Sequence, residues 1–447
     1  MTVRVLSGLM FFPRGGSAHV ARALGRHLPA YGWDVTIVSG SGAGHGDARE
    51  FYEGLDVHPV DFDAGDAPLH PSFEDRPGAR DVVFGAVDDE DFERHVDAWA
   101  RALDEARAAE HDVLHLHHLT PLHEAAARVA PGVPVVGHLH GTELLMLEAI
   151  EDGAQWPYAD RWARRLRRWA ARCERLLLLS PGQVARAQRL LGVDPDRCFV
   201  SPNGFDPDQF DRVDVDRAAV WRRALVDDPR GWAPGGEEGS VAYDGRDLGE
   251  LLEGPVVACV GRFTAVKRLP LLIRAWARAT ETVREPASLV LIGGYPGEWE
   301  GQHPLDAVAA AGAPRVFLAG WHRHAELPEL LSASDAIVLA SVREQFGSAL
   351  VEGMACGLPA IAVDRLGPAE IVDEGVTGWL VPPDDEAALA RALCECLDDP
   401  VERRRRGRRA WRVARDRYSW NAIAEGVAGV FDEVAGVADT PLAGANT

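Results

Sequence analysis

The sequence predicts an α/β fold built from two doubly wound domains that face a cleft. Three observations predict it. Short apolar runs alternate with amphipathic stretches, the pattern of mostly parallel sheets with helices between the strands. That rhythm stops over residues 211–254, rich in charge, Gly and Pro, and restarts at 255. Finally, 447 residues are enough for two or three domains, each with its own core.

In the first half, strands are expected at 3–9, 34–40, 112–118, 133–141 and 175–180, with helices between them at 18–31 and 92–109. A further strand at 198–206, "CFVSPNGFD", ends in a turn. In the second half, strands are expected at 255–261, 288–294, 316–320, 336–341, 359–364 and 378–383. Domains are therefore drawn at 1–205 and 255–417, and a C-terminal helix at about 418–436 is expected to pack back on the first. The intervening 206–254 is assigned as a connecting segment with a short helix facing solvent. It could instead cap the cleft; its polarity favours a surface role. Two such domains joined once imply a cleft lined by the carboxyl ends of both sheets.

Bulk composition excludes several classes of function. A formal net charge of −22 argues against a nucleic-acid partner, whose phosphates would be repelled. No run of 18 apolar residues is present, so no spanning helix is expected. The opening "MTVRVLSGLMFFPRGG" carries Arg4 inside its apolar stretch and is expected to be a buried first strand rather than a signal peptide. Six scattered cysteines without a C-x-x-C pair fit free thiols in a reducing cytoplasm.

Lys267, in "GRFTAVKRL", is the one lysine among 47 basic Lys and Arg residues. Chance under an arginine-rich bias would explain it. So would a tight site that admits a compact ammonium and refuses a wide guanidinium. Arg262 lies five positions earlier around the same turn, so both cations can converge on one diphosphate, or both can be surface charges. Gly15 and Gly16 follow the first strand and open a helix, where backbone can approach a ligand and the helix start favours anions. A plain strand-to-helix turn would read the same way.

The stretch "VREQFGSALVEGMACGLP" carries more. Glu344 falls in a loop after the strand "AIVLAS", and Glu352 lies about two turns into the helix that begins "GSALVEGMA". The amides of Gly347 and Ser348 belong to that helix's first turn and are available to an anion. One carboxylate is placed to bond sugar hydroxyls and the other ribose hydroxyls.

"GRFTAVK", "VREQFGSALVEGMACGLP" and "GPAEIVDEGVTGWLVPPDD" together resemble the retaining nucleotide-sugar glycosyltransferases of the GT-B fold, family four, whose two domains are Rossmann-like. The resemblance extends from Val3 to about Asp432, and the E-x7-E block is its most specific part. It implies that Arg262 and Lys267 hold the donor diphosphate. Glu344, Phe346, Gly347 and Ser348 would meet the donor sugar and phosphates, Glu352 the ribose. Gly15, Gly16 and Asn203 would approach from the first domain, and His140 of "HLHGTEL" would contact the donor sugar. On this likeness Glu344, His140, Lys267 and Arg262 carry the chemistry. No cofactor beyond the nucleotide-diphosphate sugar is implied, and no metal. A UDP-sugar is favoured, a GDP-sugar remains open, and "LAGWHRH" (318–324) is expected beside the base. The acceptor is unidentified: a small molecule, a natural-product intermediate or a lipid-linked sugar. A GT-B epimerase, or a nucleotide-sugar-binding protein without catalysis, is the alternative. Two departures stand out: Trp33 where the family often has histidine, and the length of 211–254.

His115, His117, His138 and His140 end two consecutive strands, and alternation puts each pair on one side of its strand. Four histidines near one rim could bind a metal, but packing beneath the site with His140 alone pointing into it is preferred. In "RWARRLRRWAARCER" (161–175), Trp162, Leu166, Trp169 and Cys173 form one stripe under an arginine face. Either the stripe faces the core, or the helix makes a peripheral membrane contact or receives an anionic acceptor. The run "ERRRRGRRAWR" (402–412) is expected as a solvated helix face.

Overall fold

The computed structural model describes residues 3–13, 16–42, 46–65, 70–73 and 81–437. The chain divides into two compact units. Unit 1 comprises Met1–Asn203 with Trp420–Thr447, and unit 2 comprises Gly204–Ser419.

Unit 1 is built on β1 (Val3–Leu9), β2 (Trp33–Ser41), β3 (Asp56–Asp61), a short pair β4 (Pro71–Ser72) and β5 (Val82–Val83), then β6 (Val113–His117), β7 (Val135–His138), β8 (Arg175–Leu178) and β9 (Cys198–Val200). The main sheet runs β3-β2-β1-β6-β7-β8-β9, and every neighbouring pair in it is parallel. Strand order thus reverses between β1 and β6, where loops leave in opposite directions and open a crevice at the carboxyl edge. The strands expected from the sequence are present: β1 has the expected bounds, β2 is one residue longer at each end, and β6, β7, β8 and β9 are shorter. The edge strand β3 was not expected: "DVHPVD" is polar and contains Pro59, which only an edge accommodates.

The stripe of the basic helix, here Ala159–Arg172, goes into the core, with Trp162, Leu166 and Trp169 all 0% exposed. Four of its six arginines are ion-paired: Arg161 and Arg165 meet Asp89, and Arg168 and Arg172 meet Glu124, while Arg167 donates to the Leu190 carbonyl. That apolar surface is already used for packing and is not on offer to a bilayer. Among the described residues no helix is long and apolar enough to cross a membrane. The C-terminal helix Trp420–Ala435 belongs to unit 1 and places Phe431 against Trp33 (ring centroids 5.3 Å) and His115 (5.2 Å). Trp33 is fully buried and donates its indole N–H to Asp432 (3.0 Å), so its role is packing.

Unit 2 carries β10 (Val256–Val260), β11 (Ser288–Ile292), β12 (Val316–Gly320), β13 (Ala336–Leu339), β14 (Ala360–Val363) and β15 (Gly378–Val381) in the order β12-β11-β10-β13-β14-β15. All its neighbouring pairs are parallel, and its order reverses between β10 and β13.

The segment 206–254 is not a solvent-facing connector but part of unit 2. Its helices Arg217–Arg222 and Gly245–Leu252 flank a bridge from Arg230 to Gly320 at the edge of β12. Trp221 and Trp232 are both 0% exposed; Trp232 stacks on Phe263 at 5.6 Å and donates to the Gly294 carbonyl at 3.3 Å. The charge of the segment masks two indoles large enough to anchor it. The arginine run is likewise only partly solvated. In the helix Pro400–Tyr418, Arg403 is buried and donates to the Cys396 and Leu397 carbonyls, while Arg406 lies 4.0 Å over the Trp379 ring. Six cysteines are present and all are free thiols.

Candidate functional site

Two loops meet where the strand order of unit 2 reverses. The first leaves β10 through Gly261, whose φ of +156° suits glycine, and turns through Ala265–Lys267 before the helix Leu269–Thr280. The second leaves β13, passes Glu344, and enters the helix Ser348–Ala355. The two are bonded together, because the Val342 amide and the Ser341 hydroxyl both donate to the Val266 carbonyl (3.0 and 3.2 Å).

That join delivers Lys267 to Glu344. The lysine stem passes the Gly261 backbone, where a Cβ would lie 3.4 Å from Lys267 Cε. Its ammonium donates to Glu344 Oε2 at 2.5 Å, with the two side chains 20% and 23% exposed. Both charges stay accessible to a ligand while holding each other in place. Arg262 is exposed and has no ion-pair partner among the described residues, which leaves it available to an anion.

Gly347 caps the helix in the left-handed region (φ +111°), and the first bond inside the helix runs from Leu350 N–H to Gly347 O at 2.9 Å. The amides of Gly347, Ser348 and Ala349 precede that bond, so they form the positive end of the helix, three residues from Glu344. Gly367 seats this turn. Its amide donates to the Glu344 carbonyl at 3.1 Å, and a Cβ there would lie 2.1 Å from the Phe346 carbonyl oxygen. Phe346 is buried and turns its ring toward Tyr418 (5.8 Å), so it supports the loop from beneath.

Glu352 stands further along the helix and accepts from His324 Nε2 at 2.9 Å. The His324 ring is 4.8 Å from Phe210, and its Nδ1 is 3.2 Å from Gln209 Nε2. The sequence places "LAGWHRH" only beside a base; nothing in the spacing signals the pairing of its last histidine with Glu352.

Unit 1 has its own group at its own reversal point. Gly16 is the exposed first residue of the helix Gly16–His27, and Gly15 lies outside the described residues. Asn203 ends the first run of the unit with its Oδ1 buried and unpartnered among the described residues. His140 does not stand alone: it is 9% exposed and bonds through Nε2 to His117 Nδ1 at 2.9 Å. His115 and His138 form a second pair, 3.1 Å apart. Burial depresses all four: His115 to about 3, and His117, His138 and His140 well below the ordinary imidazole value, with neighbouring imidazoles adding to it in these last three. They are neutral at physiological pH.

His115, His117 and His138 each offer a ring nitrogen within 4.8 Å of the others, a grouping that could hold a cation. His117 is engaged on both nitrogens, by Ser7 and by His140, so binding an ion there means breaking one of those bonds. Histidine 118, next along, has φ +62° and bonds the buried Glu143 at 2.6 Å.

Two family descriptions match the chain, one to each half. "Glycosyltransferase Family 4" matches residues 14–209, and "Glycosyl transferases group 1" matches residues 245–412. Together they account for most of the sequence. The chain belongs to glycosyltransferase family four.

Its fold is that of solved GT-B glycosyltransferases. Anabaena HepE, solved with UDP and glucose, superposes with a TM-score of 0.66 at 18% identity over 97% of this chain and 100% of that one. Among curated relatives, alpha-D-kanosaminyltransferase of Streptomyces kanamyceticus is 30% identical over 184 residues, 41% of this chain and 47% of that enzyme. The match thus spans about half of that relative. D-inositol 3-phosphate glycosyltransferase of Acidothermus cellulolyticus is 28% identical over 381 residues, 81% of this glycosyltransferase and 78% of its relative.

Proposed function

We propose that this glycosyltransferase moves a hexose-type sugar from a nucleotide-diphosphate sugar, a UDP-sugar in preference to a GDP-sugar, to a small-molecule or lipid-linked acceptor, with retention of anomeric configuration. The observation that carries the reading is the meeting of Lys267 with Glu344 beside the start of the helix Ser348–Ala355. A cation, a carboxylate and a set of amides at one reversal of strand order are what a sugar diphosphate needs.

In this reading unit 2 holds the donor. Arg262, Lys267 and the amides from Gly347 take the negative charge that grows on the diphosphate as the glycosidic bond breaks, without a divalent ion. Glu344 bonds sugar hydroxyls and keeps Lys267 in place, and Glu352 with His324 takes the ribose. From unit 1, the reading assigns His140, Gly15, Gly16 and Asn203 to the donor sugar. The acceptor oxygen bonds to the anomeric carbon on the face the phosphate leaves, and its proton passes to the departing phosphate oxygen. The UDP preference is supported by family likeness and by HepE, which was solved with UDP.

A thermal-shift screen of UDP-, GDP- and ADP-sugars, followed by hydrolysis without acceptor, tests it. One nucleotide class should raise the melting temperature and be slowly hydrolysed. Lys267→Ala should then lower turnover by roughly a hundredfold to a thousandfold, the scale of removing one charge-stabilising group. Turnover near wild type in that variant would remove the assignment, and binding without sugar release would favour a non-catalytic binder.

A further inference from the structure

A line of hydrogen bonds in unit 1 ends at His140. Ser7, on β1, places its hydroxyl oxygen 3.2 Å from His117 Nε2, on the adjacent β6, and His117 Nδ1 lies 2.9 Å from His140 Nε2. Ser7 is 4% exposed and His117 is 0% exposed, so water does not compete for these bonds. The His117 and His140 ring centroids are 5.2 Å apart and their planes lie within 16° of parallel.

A neutral imidazole has one N–H and one lone pair, so such a chain can run in only two directions. In one, His140 Nε2–H donates to His117 Nδ1, His117 Nε2–H donates to Ser7, and the serine proton is left needing an acceptor. Ser7 has no other side-chain partner among the described residues, and a buried donor without an acceptor is the costliest loose end. In the other direction Ser7 donates to His117 Nε2, His117 Nδ1–H donates to His140 Nε2, and every buried proton has an acceptor. The one N–H left over is on His140 Nδ1, at the more exposed end.

We propose that Ser7 and His117 are positioning residues that fix His140 as its Nδ1–H tautomer, so that His140 meets its ligand as a hydrogen-bond donor. The ligand atom it faces is an acceptor, such as a sugar hydroxyl or ring oxygen, and His140 is not a base at that position. The depressed basicity of His117 and His140 agrees, since neither ring takes a second proton that would break the chain. The role in sugar transfer rests on the function proposed above; the tautomer itself does not.

Long-range proton–nitrogen correlation spectra of protein labelled with nitrogen-15 histidine test it, with peaks assigned through His117→Asn and His140→Asn. Wild type should show Nδ1–H at both residues without any substrate. Ser7→Ala should give mixed tautomers at both, and Ser7→Thr, which restores a hydroxyl, should return them to Nδ1–H. With the donor found in the screen, Ser7→Ala should lower kcat roughly tenfold and leave nucleotide affinity unchanged, as loss of an orienting partner does. An Nε2–H form at His140, opposite tautomers at the two rings, or tautomers unmoved by Ser7→Ala would overturn the proposal. Correct tautomers in a protein that transfers no sugar would leave it standing and remove the transferase reading instead.

Discussion

Acidification should destabilise unit 1 before carboxylates are protonated, because its core holds histidines that burial keeps neutral. His95 and His115, both 0% exposed, are depressed to about 3, and His123, 5% exposed, to about 4. Desolvation is the largest cause in all three. In the unfolded chain each returns to about 6.5. Below that value the unfolded state binds protons that the folded state refuses. Stability is therefore full above pH 6.5 and falls as the pH drops toward the folded values. Each such histidine costs about 1–2 kcal/mol at pH 5.5 and about 2 kcal/mol at pH 5. Together the three remove about 4 kcal/mol at pH 5.5 and about 6 kcal/mol at pH 5, against a typical total of about 5–15 kcal/mol. His117, His138 and His140 shift in the same direction and steepen the loss. Urea unfolding at pH 7.5 and 5.5, followed by circular dichroism, measures it, and mass spectrometry of protease-cut fragments shows which unit opens. With an m-value of about 2–3 kcal/mol/M, the unit 1 midpoint at pH 5.5 should fall by about 1.3–2 M. An unchanged unit 1 midpoint, or a larger fall in unit 2, would refute the claim that these rings are buried and neutral.

Trp232→Ala should lower the stability of unit 2 by about 3–5 kcal/mol in thermal denaturation, since a fully buried indole leaves a cavity; a surface connector would lose almost nothing. Gly367→Ala would press a methyl onto the Phe346 carbonyl and should cost about 1–3 kcal/mol, with a larger fractional loss of sugar transfer as the Glu344 loop moves. Glu352→Gln should weaken nucleoside-diphosphate binding by about tenfold in calorimetry, equivalent to about 1.4 kcal/mol, while leaving the melting temperature of the free protein nearly unchanged.

How much of this was legible depends on where the information sits. Parallel strands buried on both faces are written as continuous apolar runs, so β1, β6, β10 and β13 could be found from "VRVLSGL", "VLHLH", "VVACV" and "AIVL". Local order therefore placed Lys267 after one strand and Glu344 after another. Their meeting depends on β10 pairing with β13, a contact across more than seventy residues that no local pattern encodes. The likeness of motifs stood in for that missing geometry. The errors came from reading composition as exposure. In 206–254 the charges outnumber the tryptophans, yet a single indole covers more apolar surface than several charged heads displace. In 402–412 the repeated arginines look solvated, but long aliphatic stems let Arg403 and Arg406 lie down on carbonyls and on Trp379. The histidines show the same limit at atomic scale. Alternation could say that His115 and His117 share a side, as do His138 and His140. Which nitrogen faces which follows only from strand register, His117 opposite His138, and that register decides that His140 is tied to a partner rather than free to turn.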